Sequence, residues 1–158
     1  MSNDIGPIPC STEVEAVLAD SGLPVSDLRG GSTAVFFAAR CDGSLAGVIG
    51  IERYGSVALL RSLAVADGAR GIGLGRRLVD HVERWAAQHG VRGAYLLTTT
   101  AAGFFARLGY EVATRASAPA AIAGTAQFSG LCPASSTFMY KALAADDAPG
   151  REARPAPA

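Results

Sequence analysis

Apolar positions along this chain repeat in two rhythms, one of period two and one near 3.6, and the two rhythms alternate. The clearest helical stretch is 73–89. Leu74, Leu78, Val82, Trp85 and Ala86 form one stripe on it, and Gly90 closes it. A second stripe, Val14, Val17 and Leu18, follows Ser11 as an N-cap and predicts a helix over 12–20 that stops near Gly22. A short helix is also predicted near 25–29, and another over 101–108 that ends at Gly109. Runs rich in β-branched and aromatic residues predict strands at 33–40, 45–54 and 57–65, with Asp42-Gly43 and Gly55 as the turns. Further strands are predicted at 94–98, 110–113 and 137–143. The stretch 116–133 is small, polar and irregular, with room for one helical turn.

This order reads as helices, a meander, a βαβ unit, a short helix and two closing strands. It predicts a single α/β (α+β) domain over 1–143. The sheet is mixed and mostly antiparallel, about six to seven strands, with helices on both faces. The strands at 57–65 and 94–98 are predicted to run parallel, because a helix lies between them. From Ala144 the chain is Ala, Asp, Pro, Gly and Arg, and 144–158 is expected to be a flexible tail.

Composition removes several classes. Lys plus Arg and Asp plus Glu both number 14, so the net charge is zero, which argues against bulk nucleic-acid binding. No apolar run approaches the ~20 residues that span a bilayer. No leader is seen at Met1-Ser2-Asn3-Asp4, so a cytoplasmic protein acting away from membranes is expected. Cys10, Cys41 and Cys132 have neither disulfide-framework nor metal-ligand spacing, so no metal is expected. A homodimer is compatible with the sequence.

The chemistry concentrates at Arg70-Gly71-Ile72-Gly73-Leu74-Gly75, between a predicted strand and a predicted helix. A glycine-rich turn there presents backbone N–H groups at a positive helix end, which suits phosphate. A Walker A loop fails, because Gly75 is followed by Arg76-Arg77 rather than Lys-Ser/Thr. A dinucleotide loop fails at its third glycine, where Arg76 stands, and the next strand ends in Thr98-Thr99-Thr100 rather than an acid. Arg70, Arg76 and Arg77 crowd a helix start, where cations oppose the macrodipole. An anion bound among the amides of Gly71 to Arg76 would account for them.

The spacing Arg-x-x-Gly-x-Gly, met by Arg70, Gly73 and Gly75, resembles the pyrophosphate loop of the GNAT superfamily of acyl-CoA-dependent N-acyltransferases. Leu63-Ala64-Val65 resembles that family's fourth strand. Phe104-Phe105-Ala106-Arg107-Leu108-Gly109-Tyr110 resembles its short helix and sixth strand. The resemblance covers roughly Asp4 to Leu143. It implies acetyl-CoA as cosubstrate, with Arg70, Gly71, Ile72, Gly73, Leu74, Gly75 and Arg76 at the pyrophosphate. It also implies that two parallel strands splay and admit the pantetheine arm, here beside Leu63, Val65, Thr98 and Phe105. A backbone amide near Leu63 would polarise the thioester carbonyl.

Transfer to an amine needs a base for the ammonium and an acid for the departing thiolate. Many relatives use a tyrosine in the short helix as acid; the matching residue here is Phe105, which has no proton to give. Tyr95 and Tyr110 carry hydroxyls nearby in sequence. Glu52 is the candidate base; the competing reading is an exposed strand-end carboxylate paired with Arg53 or Arg61. Arg61 reads either as a bidentate partner for an acceptor carboxylate or as the salt-bridge partner of Glu52. Because adjacent strand residues face opposite sides, only one of Arg61 and Ser62 is expected to face the acceptor. His81 and His89 are expected to be surface or helix-packing residues.

The runs Ile51-Glu52-Arg53-Tyr54, Leu60-Arg61-Ser62-Leu63-Ala64-Val65 and Leu131-Cys132-Pro133-Ala134-Ser135 resemble a GNAT subgroup of arsenic-resistance N-acetyltransferases. That implies a small-molecule amine acceptor, including an arsenic-bearing amino-acid analogue. The competing readings are a non-catalytic GNAT-like module that binds acyl-CoA or an arsenical, which Phe105 favours, and a nucleotide-binding protein.

Overall fold

The computed structural model describes residues 5–9, 12–20, 34–41, 44–66, 73–125, 128 and 136–143. In chain order its elements are β1 (Ile5–Ile8), α1 (Thr12–Asp20), β2 (Val35–Cys41), β3 (Ser44–Tyr54), β4 (Val57–Val65), α2 (Leu74–Gln88), β5 (Gly93–Thr98), α3 (Ala102–Arg107), β6 (Glu111–Val112), a 3-10 turn (Arg115–Ser117), α4 (Ala120–Ala123) and β7 (Thr137–Ala142). The strands form one seven-stranded sheet in the order β1-β2-β3-β4-β5-β7-β6. Among the described residues β4 and β5 are the one parallel pair.

The predicted α/β sheet, meander and crossover are therefore present. Strand β1 is a correction, since no strand is predicted before the first helix. Its sequence, Ile5-Gly6-Pro7-Ile8, is poor strand material. It lies at an edge, paired with β2 alone, which is where a proline without a ladder donor is tolerated. The predicted strand at 110–113 shortens to Glu111–Val112. The expected Ser11 cap, the turn at 42–43, the helix near 25–29 and the tail at 144–158 lie outside the described residues.

Two apolar layers hold the sheet. On one face Leu74, Leu78, Val79, Val82 and Ala86 of α2 pack on Ile49, Ile51, Ala58, Leu60 and Leu96, with Phe105 and Tyr110 beside them. On the other, Val14 and Leu18 of α1 cover Phe36, Val48 and Ala64. Next to that patch Ile122 of α4 covers Leu59 and Phe138. The sheet is thus buried on both sides, and β3 carries a nearly continuous buried run rather than an alternating one.

Candidate active site

The site begins with the way β4 and β5 part. Their ladder has three pairs, Val57 with Gly93, Ala58 with Ala94 and Leu59 with Tyr95. Beyond it β4 runs on to Val65 and β5 to Thr98. The register between β3 and β4 shifts between Val48 and Gly50, and Ser62 opposite this shift has a φ of 60°. A serine in the left-handed region in mid-strand costs about 1–2 kcal/mol. It marks a bulge that bends β4 away from its neighbour.

The bulge also overturns the expected alternation of Arg61 and Ser62. Arg61 Nε donates to Ser62 Oγ at 2.9 Å, so the two side chains meet. Arg61 Nη1 donates to Glu52 Oε2, also at 2.9 Å, and Tyr54 Oη donates to Glu52 Oε1. The side chains of Arg61 and Glu52 are 0% and 7% exposed. Glu52 is therefore a buried, paired carboxylate and not an exposed strand end. Burying both charges is tolerable because each is hydrogen-bonded as well as paired. Gly50, opposite Arg61, leaves the room: a Cβ there would stand 2.9 Å from the Phe36 ring and 3.2 Å from Arg61 Cγ. Tyr54 is the residue of this cluster that sequence reasoning missed; its i,i+2 relation to Glu52 on one strand was the available signal.

The cofactor-side candidates converge on the opposite face. Leu63 and Val65 pack against the cluster that holds Leu74 and Phe105. A Cβ on Gly75 would lie 3.3 Å from Phe104 Cζ and 3.8 Å from Val65 Cγ2, so the first turn of α2, the end of β4 and α3 meet there. Gly73 is the N-cap of α2, left-handed at φ 76° and ψ 14°, with no side-chain capping bond. No acid stands in the first turn, and Arg76 and Arg77 are exposed on it. Thr98 accepts the Ala101 N–H at 3.0 Å and so shapes the start of α3. Arg70, Gly71 and Ile72 lie outside the described residues, as does Cys132.

Phe105 is buried edge-on to Phe104 and Tyr110, with ring centroids 5.0 and 5.6 Å away. Tyr110 does not supply the missing acid. It is buried, and its hydroxyl donates to Glu83 Oε2 at 2.9 Å. Lys141 Nζ closes this network on Glu83 Oε1 and on the Leu108 carbonyl, both at 2.9 Å. Burial first, then the Glu83 carboxylate, push the Tyr110 phenol far above its usual pKa of 10.0. Unfolded tyrosine ionises near that value while folded Tyr110 keeps its proton, so this group's contribution is intact below pH 10 and stability falls as pH rises further. Tyr110→Phe is expected to flatten that decline in chemical unfolding measured from pH 8 to 11. Tyr95, stacked on Phe138, is likewise shifted upward, first by burial and then by Tyr140. His81 of α2 lies against Phe37, and His89, the C-cap of α2, lies against Trp85, both in packing roles.

Among the described residues no group of His, Cys, Asp and Glu is placed to hold a metal, and no helix is long and apolar enough to cross a membrane. The described site thus lies at the end of the sheet where β4 and β5 stop pairing, with a helix start on one side of the sheet and a buried Glu-Arg pair on the other.

Comparison with known proteins identifies the class. A sequence model of the acetyltransferase (GNAT) domain matches residues 32–112, just over half of the chain, and the chain belongs to that family. An uncharacterized N-acetyltransferase of Chlorobaculum tepidum is 39% identical over 77 residues, which cover 48% of this chain and 49% of that protein. The chain thus spans about half the length of this curated relative. The N-acetylglutamate synthase of Neisseria gonorrhoeae, solved with coenzyme A and N-acetyl-glutamate, superposes with a TM-score of 0.73 at 19% identity, over 91% of this chain and 36% of that one. A GNAT-family acetyltransferase from Staphylococcus aureus gives 0.70 at 19% identity, over 89% of this chain and 100% of that one. At such identities the structural likeness shows the fold.

Proposed function

We propose that this chain is an acetyl-CoA-dependent N-acetyltransferase acting on the amine of a small molecule. The observation that carries this is the short β4–β5 ladder, which ends at Leu59 and Tyr95 while both strands continue. A strand-like pantetheine arm fits such an opening. The uncapped start of α2 at Gly73 stands beside it and suits the pyrophosphate, with Arg70, Gly71, Ile72, Leu74, Gly75 and Arg76 completing the loop. Related folds solved with coenzyme A include the N-acetylglutamate synthase above and an aminoglycoside 6'-N-acetyltransferase.

In this reading the acceptor nitrogen attacks the thioester carbonyl. A C–N bond forms, the C–S bond breaks, and the oxyanion is held by a backbone N–H of β4 near Leu63. Val65, Thr98 and Phe105 line the arm. Glu52 takes the ammonium proton. Arg61 is a positioning residue, because its guanidinium is engaged by Glu52 and Ser62, and direct capture of an acceptor carboxylate would have to break that pair. With Phe105 in the acid position, the departing thiolate takes its proton from solvent.

The arsenic-resistance resemblance extends the proposal to an arsenic-bearing amino-acid analogue as one acceptor. A thiol-release assay with acetyl-CoA and a panel of amines, including amino acids and their arsenical and phosphonate analogues, tests both levels. Release that depends on one amine supports the enzyme. Coenzyme A binding without release on any amine supports the non-catalytic module.

A further inference from the structure

Helix α3 has six residues and is too short to hold itself, since isolated helices under about 12 residues are marginal in water. Its two ends therefore decide where it sits. Toward its start Phe104 packs over the first turn of α2, where a Cβ on Gly75 would lie 3.3 Å from Phe104 Cζ. At its end the backbone closes in two bonds. The Tyr110 N–H donates to the Phe105 carbonyl and the Gly109 N–H to the Ala106 carbonyl, both at 3.1 Å. Gly109 is left-handed at φ 100°, and the Phe105 and Tyr110 rings meet edge-on at 5.6 Å. This is a Schellman stop with its apolar contact.

The Leu108 carbonyl at this stop is taken by a side chain from β7. Lys141 Nζ donates to it at 2.9 Å. The same ammonium donates to Glu83 Oε1 of α2 at 2.9 Å and stands 5.6 Å from the centre of the Tyr110 ring. Glu83 Oε2 accepts from the Tyr110 hydroxyl, so both carboxylate oxygens are engaged. One ammonium thus ties the end of α3 to α2 and β7. Lys plus Arg number 14 in this chain, and Lys141 is the one lysine among 13 arginines. A compact ammonium suits the place, because one donor has to reach two oxygens beside the Gly109 backbone, where a Cβ would stand 3.4 Å from Lys141 Cε.

We propose that Lys141 is a positioning residue for the cofactor site, whose bond to the Leu108 carbonyl fixes α3 and with it the wall made by Phe104 and Phe105. The proposal rests on the acetyltransferase reading above. Phe104 and Phe105 pack in one cluster with Leu63, Val65 and Leu74, the residues assigned to the pantetheine arm and the pyrophosphate loop. Without the bond α3 keeps its Phe104 contact and loses its hold at the other end. The fraction of molecules with the wall in place falls, and coenzyme A affinity falls by that fraction. Glu52 and Arg61 lie on the other face of the sheet, so the acceptor side is spared.

Two variants separate this role from plain stability. Lys141→Met removes both bonds and leaves the Glu83 carboxylate without its cation. Glu83→Gln with Lys141→Met removes that charge as well and keeps an acceptor for the Tyr110 hydroxyl. The single variant is expected to melt lower and to bind coenzyme A about five- to thirtyfold more weakly in calorimetric titration. The double variant is expected to regain most of the melting temperature and to keep the weakened affinity. In both, the KM for acetyl-CoA rises while that for the amine stays within about twofold. Amide hydrogen exchange, read without coenzyme A, speeds up over 105–110 and not over 74–88. Unchanged affinity in Lys141→Met overturns the proposal. So does a double variant that regains affinity along with stability, or exchange over 105–110 equal to wild type. If Lys141→Met does not fold, the double variant carries the test. Affinity and exchange need no turnover, so a wild type that acetylates nothing leaves the test intact. Wild type that binds no coenzyme A overturns the cofactor reading, and the exchange result then decides the hold on α3 by itself.

Discussion

Gly73→Asp is expected to lower acetyl-CoA affinity by at least a hundredfold while leaving the fold intact. Gly73 is left-handed at φ 76°, a region that aspartate enters more readily than most residues. A Cβ there meets nothing within 4 Å. The left-handed cost of about 1–2 kcal/mol is offset by an N-cap carboxylate, worth about 1 kcal/mol where none now stands. That carboxylate occupies the amides assigned to the pyrophosphate and repels it. Two unit charges about 4 Å apart at a surface-like dielectric oppose each other by about 4 kcal/mol before screening. Gly73→Ala carries the backbone strain without the charge and is expected to lose far less affinity. Calorimetric titration of both variants makes the comparison. Unchanged affinity in a folded Gly73→Asp protein removes the loop from the cofactor site.

Arg61→Ala is expected to be the most destabilising change at the site. It leaves the Glu52 carboxylate buried with the Tyr54 hydroxyl but without its guanidinium, a loss of about 3–5 kcal/mol. In a domain of this size that is roughly 6–20 °C in melting temperature. In the surviving folded fraction the acceptor KM rises more than the acetyl-CoA KM, because Arg61 and Glu52 lie on the sheet face away from α2. Replacing both partners, Glu52→Leu with Arg61→Met, is expected to recover most of the stability and none of the activity, since apolar side chains can fill the site but cannot take a proton. A single variant with normal stability contradicts the buried pair. A larger effect on acetyl-CoA contradicts its place on the acceptor side.

What the sequence made legible follows from which interactions are local. The stripe Leu74, Leu78, Val82, Trp85 and Ala86, the helix start at Gly73 and the crossover to β5 depend on spacing within one segment, and all were readable. Strand β1 was not, because Ile5-Gly6-Pro7-Ile8 becomes a strand by pairing with Ala39 to Phe36 and not by its own propensity. The Ser62 bulge was missed for a related reason. Its left-handed backbone is set by a register shift against β3, and simple alternation then put Arg61 and Ser62 on opposite sides. The union of Glu52, Tyr54, Arg61 and Ser62 needed the β3–β4 register.

The most direct test of the central claim is mass analysis of the products formed from acetyl-CoA and the amine panel by the wild-type chain. The account predicts a mono-acetylated amine, with one equivalent of free coenzyme A thiol per product and no product in Gly73→Asp. Tight coenzyme A binding with no acetylated amine anywhere on the panel would contradict it and leave the cleft as a binding site alone.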